Sequence, residues 1–215
     1  MSRTLVKICG VTLADDAARV AAAGADFVGL NFWPKSKRYL APERAQIVAA
    51  AARGAGSAKL VGVFVDASID EMQRICALID LDAVQLHGDE SVDVAERISL
   101  AVYRPVWKAV AIGSQKDVER VGAWKTDAVL LDAPTPGRGG AGATFDHNLA
   151  REARQRFPAM KIILAGGLTA DNVADAIELV EPWAVDVASG VEAAPGVKDP
   201  AKLAAFISAT RGALI

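Results

Sequence analysis

Cysteine and histidine are scarce in this chain of 215 residues, which has two of each. Cys9 and Cys76 could form at most one disulfide, and neither stands in a CxxC or Cys/His spacing typical of zinc sites. A disulfide scaffold and a cysteine-based metal site are therefore excluded.

The chain also lacks a charge excess and a long apolar run. Its 24 Lys and Arg face 26 Asp and Glu, a net charge of −2 that gives no general attraction for a polyanion. No apolar run approaches the ~18 residues of a membrane span, and the N-terminus lacks the apolar segment of a secretory signal. We therefore expect no nucleic-acid partner and no membrane association, and we predict a cytoplasmic protein.

What the sequence has instead is apolar residues in short clusters. Hydrophobic residues make up 52% of the chain, enough to bury a core as one domain over residues 1–215. The clusters are rich in Val, Ile and Leu, and a longer stretch with helical spacing follows each. The predicted strands are Leu5–Cys9, Phe27–Phe32, Leu60–Val65, Ala83–Leu86, Pro105–Val110, Ala128–Leu131, Lys161–Ala165 and Ala184–Val187.

Eight such units without a break in composition predict an α/β fold, a single (β/α)8 TIM barrel. The alternative is an open doubly wound sheet, which would favour a dinucleotide fingerprint after the first strand, whereas residues 9–12 read Cys-Gly-Val-Thr. Pro42 and Ser68 predict helix starts, and Gly54 ends an Ala-rich helical segment. Cys76 lies on the apolar stripe of the helix after Ser68, which predicts core packing.

In a barrel of this kind, chemistry occurs at the C-terminal ends of the strands. Cys9 ends the first strand and is either a buried apolar residue or a thiolate facing a ligand, which Lys7 would favour. Asp132 ends the apolar run 129–131, where a carboxylate is costly to desolvate, and this position favours a catalytic acid or base.

Two more polar residues follow strand ends. His87 is a supporting hydrogen-bonding group, a ligand contact or simply a loop residue. Arg38, in the loop 34–39, is either a solvated charge or a fork for a carboxylate-bearing substrate.

Glycine-rich turns follow the seventh and eighth predicted strands, at residues 165–169 and 188–192. One such turn is explained by chain geometry alone, but two on adjacent strands favour a phosphate cradle of backbone amides. We therefore predict a phosphorylated small molecule as the partner. Its predicted contacts are Gly166, Gly167, Ser189 and Gly190.

The segment 137–144 approaches a nucleotide P-loop, but Ala143 stands where that motif needs lysine, so we reject a nucleoside triphosphate site. The connection 132–145 is long for a βα loop and favours a lid or a loop flanking the substrate.

Motifs in a specific order cover essentially the whole chain. They are residues 7–10 (KICG), 34–39 (PKSKRY), 62–65 (GVFV), 84–88 (VQLHG), 130–132 (LLD), 139–140 (GG) with 144–146 (TFD), 166–168 (GGL) and 189–192 (SGVE). Together they resemble the phosphoribosylanthranilate isomerase family of tryptophan biosynthesis. The resemblance implies a (β/α)8 barrel that converts N-(5-phosphoribosyl)anthranilate to 1-(o-carboxyphenylamino)-1-deoxyribulose 5-phosphate by an Amadori rearrangement, without metal or organic cofactor.

Carried over position by position, the resemblance makes Cys9 the general base and Asp132 the general acid. Arg38 would contact the anthranilate carboxylate, and the two glycine-rich turns would hold the phosphate. The chain departs from the family's usual residues at Ala143, His147 and Ala188, which puts fine substrate contacts in doubt rather than the acid and base.

Other functions are compatible with the fold. A metal-dependent epimerase would need His and carboxylate ligands on several strand ends, and the chain has only two histidines. A Schiff-base aldolase would use Lys7 or Lys108, and a catalytically silent phosphometabolite-binding barrel needs neither. The sequence is compatible with a monomer and with a homodimer.

Overall fold

The structure, a computed structural model, describes residues 3–134 and 146–213. Strands and helices alternate along these residues, as the hydrophobic pattern predicts. The strands are β1 (Leu5–Cys9), β2 (Phe27–Asn31), β3 (Lys59–Phe64), β4 (Ala83–Leu86), β5 (Val106–Ala111), β6 (Ala128–Asp132), β7 (Ile162–Leu164), β8 (Ala184–Val187), β9 (Glu192–Ala194) and β10 (Val197–Lys198). The helices are α1 (Ala14–Ala22), α2 (Pro42–Ala55), α3 (Ile69–Ile79), α4 (Val92–Val102), α5 (Gln115–Val121), α6 (His147–Arg156), α7 (Val173–Val180) and α8 (Pro200–Gly212).

Strands β1 to β8 form a closed parallel barrel, in which β8 pairs with β1 through Leu5↔Ala184 and Val6↔Val185. Alternate residues of each strand point into the barrel. The interior is a small apolar cluster in which Phe27 packs edge-on against Trp107 at 5.0 Å between ring centroids. The larger cluster lies between the strands and the surrounding helices. The predicted (β/α)8 barrel is therefore confirmed.

All eight predicted strands agree with the observed ones to within a single residue at each end. Ser68 caps α3, its side chain accepting a hydrogen bond from the Glu71 amide, and Cys76 is buried as predicted. The helix with Gly54 continues to Ala55, so Gly54 is inside α2 rather than at its end. The antiparallel β9–β10 hairpin was not predicted.

At the N-terminal end of the barrel, three pairs of neighbouring strands are each linked through an aspartate carboxylate. Asp26, Asp82 and Asp127 directly precede β2, β4 and β6. Each side chain accepts a hydrogen bond from an amide in the preceding strand, and each Asp amide donates to the carbonyl of that same residue. The amide donors are Val6 (2.9 Å), Leu60 (2.7 Å) and Val106 (2.8 Å). These hydrogen bonds align neighbouring strands at the end of the barrel opposite the predicted site.

The loop 135–145, including Ala143 and the P-loop-like segment, lies outside the described residues, so its predicted role as a lid stays a prediction. Within the described ranges, no helix has the length and apolar character needed to cross a membrane.

Candidate active site

Polar side chains occupy the inner face of the barrel at the C-terminal ends of its strands. Leu5 belongs to the interior cluster, so Lys7 and Cys9 on the same strand face share its inward direction. Ala128 and Leu130 likewise place Asp132 inward, and Ala184 does the same for Asp186. Asp132 on β6 and Cys9 on β1 are separated by β7 and β8 around the ring. The two predicted catalytic residues therefore point into the barrel from different sides.

A buried ion pair lies one layer below Cys9. Lys7 Nζ, fully buried, is 2.8 Å from Asp186 Oδ1. Burial would lower the pKa of Lys7, but Asp186 and Cys9 raise it above its ordinary value. Burial raises the pKa of the Cys9 thiol, and Asp186 adds to this rise, while Lys7 opposes it by donating a hydrogen bond to the sulfur. Lys7 is thus the positive neighbour that the sequence suggested, although the net effect on Cys9 favours the thiol.

Gly29 provides the space for this arrangement. It pairs with Cys9 across the β1–β2 ladder. A Cβ atom at this position would lie 2.9 Å from Cys9 Sγ and 3.2 Å from Lys7 Nζ, closer than ordinary contact. Only a glycine leaves both groups in their present positions.

Asp132 has an environment suited to holding a proton. Burial raises its pKa to about 6, although the Ala133 amide, which donates to Oδ1 at 2.8 Å, lowers it. His87 Nε2 is 3.7 Å from Asp132 Oδ2, and His87 Nδ1 is 3.0 Å from Gln85 Nε2. With the Gln85 amide as donor, Nδ1 accepts, and the imidazole proton lies on Nε2, which faces Asp132. His87 is therefore beside the predicted acid.

Arg38 lies over Gly10, immediately after Cys9. A Cβ atom on Gly10 would be 2.2 Å from Arg38 Cδ, and Gly10 has a φ of +70° that favours glycine. Glu192 holds the guanidinium by two hydrogen bonds, from Nε to Oε1 at 2.8 Å and from Nη2 to Oε2 at 2.6 Å. The hydrogen bonds to Glu192 raise the pKa of Arg38 above its usual range, and the charges of Glu192 and Cys9 add to this rise. Partial burial acts in the opposite direction but does not cancel it. Neither of these two bonds uses the Nη1 group.

The two glycine-rich turns pack against each other. Gly166 and Gly167 have φ values of +85° and +65°. Ser189 and Gly190 begin a short 3₁₀ turn, and a Cβ atom on Gly190 would be 2.0 Å from the Leu168 carbonyl oxygen. Both turns thus bring glycine backbone to the same part of the barrel rim, where amides can approach an anion.

Sequence reasoning missed Asp186, Glu192 and Lys198. Asp186 interrupts the apolar strand β8 at an inward position, which is a readable signal, whereas the other two reach the site through the unpredicted hairpin. Lys108 lies outside the barrel wall, where its Nζ is 3.1 Å from Glu90 Oε2. Because Trp107 and Ala109 are the inward residues of β5, Lys108 cannot serve as an imine-forming lysine in the barrel. Among the described residues, no group of three His, Cys, Asp or Glu could hold a metal ion.

Comparison with known proteins decides the family. Residues 6–209 match the family model described as N-(5′-phosphoribosyl)anthranilate (PRA) isomerase. The N-(5′-phosphoribosyl)anthranilate isomerase of Geotalea uraniireducens is 44% identical over 214 residues, covering 97% of this chain and 99% of that protein. The chain belongs to the N-(5′-phosphoribosyl)anthranilate isomerase family.

Solved structures of N-(5′-phosphoribosyl)anthranilate isomerases share the fold over their full length. The crystal structure of the Thermotoga maritima enzyme superposes with a TM-score of 0.89 at 41% identity, covering 97% of this chain and 99% of that one. An isomerase crystallised with reduced 1-(o-carboxyphenylamino)-1-deoxyribulose 5-phosphate has a TM-score of 0.86 at 38% identity, with the same coverage.

Two of the departures from the family's usual residues fall on described positions. His147 is the first residue of α6, and burial lowers its pKa below the ordinary value. The Ala188 carbonyl accepts a hydrogen bond from Lys198 Nζ at 3.3 Å, a contact of the main chain that needs no particular side chain.

Proposed function

We propose that this protein catalyses the isomerisation of N-(5′-phosphoribosyl)anthranilate to 1-(o-carboxyphenylamino)-1-deoxyribulose 5-phosphate in tryptophan biosynthesis, with Cys9 as general base and Asp132 as general acid. The observation that carries the proposal is the placement of these two residues on one inward-facing rim, with burial raising the pKa of Asp132 to about 6. A carboxyl group with such a pKa is protonated in part near neutral pH, and the protonated fraction can deliver its proton to a bound sugar.

The reaction needs one proton delivered and one removed. Asp132 protonates the furanose ring oxygen as the bond from that oxygen to C1 breaks, and the nitrogen lone pair forms a C1=N iminium ion. The cation acidifies the C2 proton, which the Cys9 thiolate removes, so that the electrons of the C–H bond form an enolamine. The enolamine then tautomerises to the C2 ketone, and no electrons are exchanged with another molecule.

The remaining site residues are proposed to bind the substrate. Arg38, held by Glu192, presents Nη1 to the anthranilate carboxylate, since a guanidinium is a strong partner for that group. His87 contacts the sugar beside Asp132. The amides of Gly166, Gly167, Ser189 and Gly190 bind the phosphate, because the first amides of a helical turn have no acceptor within it.

The test is turnover of freshly made N-(5′-phosphoribosyl)anthranilate, followed by the loss of its fluorescence. Cys9→Ser and Asp132→Asn are each expected to lower kcat by ~10²–10⁴-fold, the usual contribution of one acid or base. Cys76→Ser, which changes the helix-packing cysteine, is the matched control and is expected to retain kcat. Absence of turnover by the wild type, or undiminished turnover by both site variants, would overturn the proposal.

The same assay distinguishes the alternatives, because a silent barrel would bind the substrate without turnover. An aldolase using Lys7 would be trapped covalently by borohydride with its substrate. Lys7 is engaged with Asp186 and Cys9, which counts against a free amine there. A cytoplasmic location and the choice between monomer and homodimer stay predictions.

A further inference from the structure

The β9–β10 hairpin brings a buried lysine to the junction of the proposed substrate contacts. Lys198 is only 3% exposed. Its Nζ donates to the Cys9 carbonyl at 2.6 Å, to the Ala188 carbonyl at 3.3 Å and to Glu192 Oε1 at 2.9 Å. One ammonium group therefore joins the end of β1, the end of β8 and the carboxylate that holds Arg38.

Each of these partners leads to a different part of the substrate. The Cys9 carbonyl belongs to the proposed base, and the Ala188 carbonyl directly precedes the phosphate-binding turn at Ser189. Glu192 orients the Arg38 guanidinium through two hydrogen bonds. Displacement of Lys198 would therefore disturb the proposed base Cys9, the phosphate-binding turn at Ser189 and the Arg38 contact with the substrate carboxylate together.

The hairpin is itself anchored so that Lys198 has little freedom. The Lys198 amide donates to Asp16 Oδ2 of α1 at 2.8 Å. Thr12 Oγ1 donates to the carbonyl of Gly196, which turns the hairpin at a φ of +84°. The Gly196 amide donates to Glu192 Oε1 at 3.1 Å. The ammonium position is thereby determined before any substrate arrives, as pre-organisation requires.

We propose that Lys198 is a positioning residue of the active site, which fixes Cys9, Arg38 and the phosphate-binding turn relative to one another and supplies positive charge to the Cys9 thiolate. This inference rests on the proposed function for the identity of the substrate groups. The contacts that carry it are those of the protein alone.

Several charged groups surround Cys9. Among the described residues they are Lys7 on its own strand, Asp186 on β8, Arg38 from the loop after β2, and Lys198 on β10. Glu192 offsets one of the two cations, Arg38 and Lys198, which it contacts. Because Lys198 and Glu192 are both buried, their charges are weakly screened, and removal of Lys198 would leave Cys9 beside less positive charge.

The experiment measures Cys9 ionisation directly and turnover separately. Alkylation of Cys9 by iodoacetamide is followed against pH, and peptide mass spectrometry distinguishes it from Cys76. Lys198→Met is compared with Lys198→Arg and with Lys202→Met. Lys202 lies on α8 and its Nζ donates to the main-chain carbonyl of Glu192, so Lys202→Met controls for the loss of one nearby charge.

For Lys198→Met we expect the midpoint of Cys9 alkylation to move to higher pH, and KM to rise about 10-fold or more, the effect of losing a charged hydrogen bond. Lys198→Arg should restore most of both, and Lys202→Met should leave the midpoint unchanged. An unchanged midpoint and KM in Lys198→Met would overturn the inference.

The two proposals can fail separately. If wild-type protein shows no turnover but Lys198→Met still shifts the alkylation midpoint, the proposed function is wrong and the positioning of Cys9 by Lys198 stands. Should Lys198→Met unfold, as circular dichroism would show, Lys198→Gln takes its place, because it keeps a hydrogen-bond donor and removes the charge. A folded Lys198→Gln protein with a raised midpoint and a raised KM supports the inference, and one whose midpoint and KM equal those of the wild type overturns it.

Discussion

The two proposed catalytic groups are protonated in an unusual order. Burial raises the pKa of Asp132 to about 6, while that of the Cys9 thiol lies above its ordinary value. The major form near neutral pH therefore has a carboxylate and a thiol, whereas catalysis requires the acid and the thiolate. The reactive form carries the same number of protons as the major form, but the proton is on Asp132 instead of Cys9. The two forms therefore have the same total charge, and both are populated over the same pH range.

The pH dependence of kcat/KM follows from this order. We expect a bell-shaped profile with an acidic limb near pH 6, set by Asp132, and an alkaline limb above the ordinary thiol pKa, set by Cys9. Cys9→Ser should keep the acidic limb and lose the alkaline one, because a hydroxyl ionises far outside the range. Steady-state rates across the pH range measure both, and an acidic limb that disappears in Cys9→Ser would contradict the assignment.

Asp132 also makes the stability of the protein depend on pH. Its folded pKa of about 6 lies above the unfolded value, so the stabilisation is complete below the unfolded value and is lost as the pH rises through 6. We expect the free energy of unfolding of Asp132→Asn, measured relative to that of the wild type, to rise by roughly 2–2.5 kcal/mol from pH 4 to pH 8. Urea unfolding at both pH values measures the difference.

Asp146 provides the opposite control at an exposed position. The amide and side chain of Asn148 hold the pKa of its carboxyl below the usual range. Asp146→Asn should therefore lose stability relative to wild type at pH 8 rather than gain it, since a depressed pKa stabilises the folded state above the unfolded value. The same sign for both variants would show that the amide substitution, and not ionisation, causes the change.

At the level of elements, the register of β1 against β2 decides whether the site can form. That register places Gly29 opposite Cys9. We expect Gly29→Ala to lower kcat about tenfold or more, because a Cβ atom 2.9 Å from Sγ displaces the base, and small displacements of reacting groups are costly. The fluorescence assay gives kcat, and circular dichroism checks that the barrel is intact.

Gly54→Ala is the matched control for that substitution. A Cβ atom on Gly54 would meet nothing within 4 Å, and the residue is inside α2. This variant should keep wild-type kcat and gain about 0.5–1 kcal/mol of stability, since alanine is the better helix former. Equal loss of kcat in both glycine variants would refute the role given to Gly29.

Strand and helix positions could be predicted because each βα unit carries its own apolar pattern. The same is true of Cys9 and Asp132, which end apolar runs. The β9–β10 hairpin could not be predicted in this way, since the segment 192–198 is short and does not alternate between apolar and polar residues. The roles of Glu192 and Lys198 depend on that hairpin and on contacts with β1 and Arg38, far away in sequence.

The whole barrel separates its two tasks between its two ends. The proposed base and acid, Cys9 and Asp132, and the glycine-rich turns lie at the C-terminal ends of the strands. The aspartates that precede β2, β4 and β6 lie at the other end and brace the strands. Asp132 at one end therefore destabilises the fold when it ionises, whereas the aspartates at the other end hold neighbouring strands together by hydrogen bonds.

Asp26 tests this division most directly. It accepts hydrogen bonds from the Val6 amide, from both terminal nitrogens of Arg3 and from Arg211 of α8, so it ties β1, β2 and the last helix together. We expect Asp26→Ala to lower the free energy of unfolding by about 1–3 kcal/mol, the cost of a lost charged hydrogen bond and an unpaired amide. kcat and KM should remain those of wild type, because the brace lies at the opposite end of β1 from Cys9. Urea unfolding and steady-state kinetics on the same preparation measure both quantities, and a loss of kcat at unchanged stability would show that the two ends are not independent.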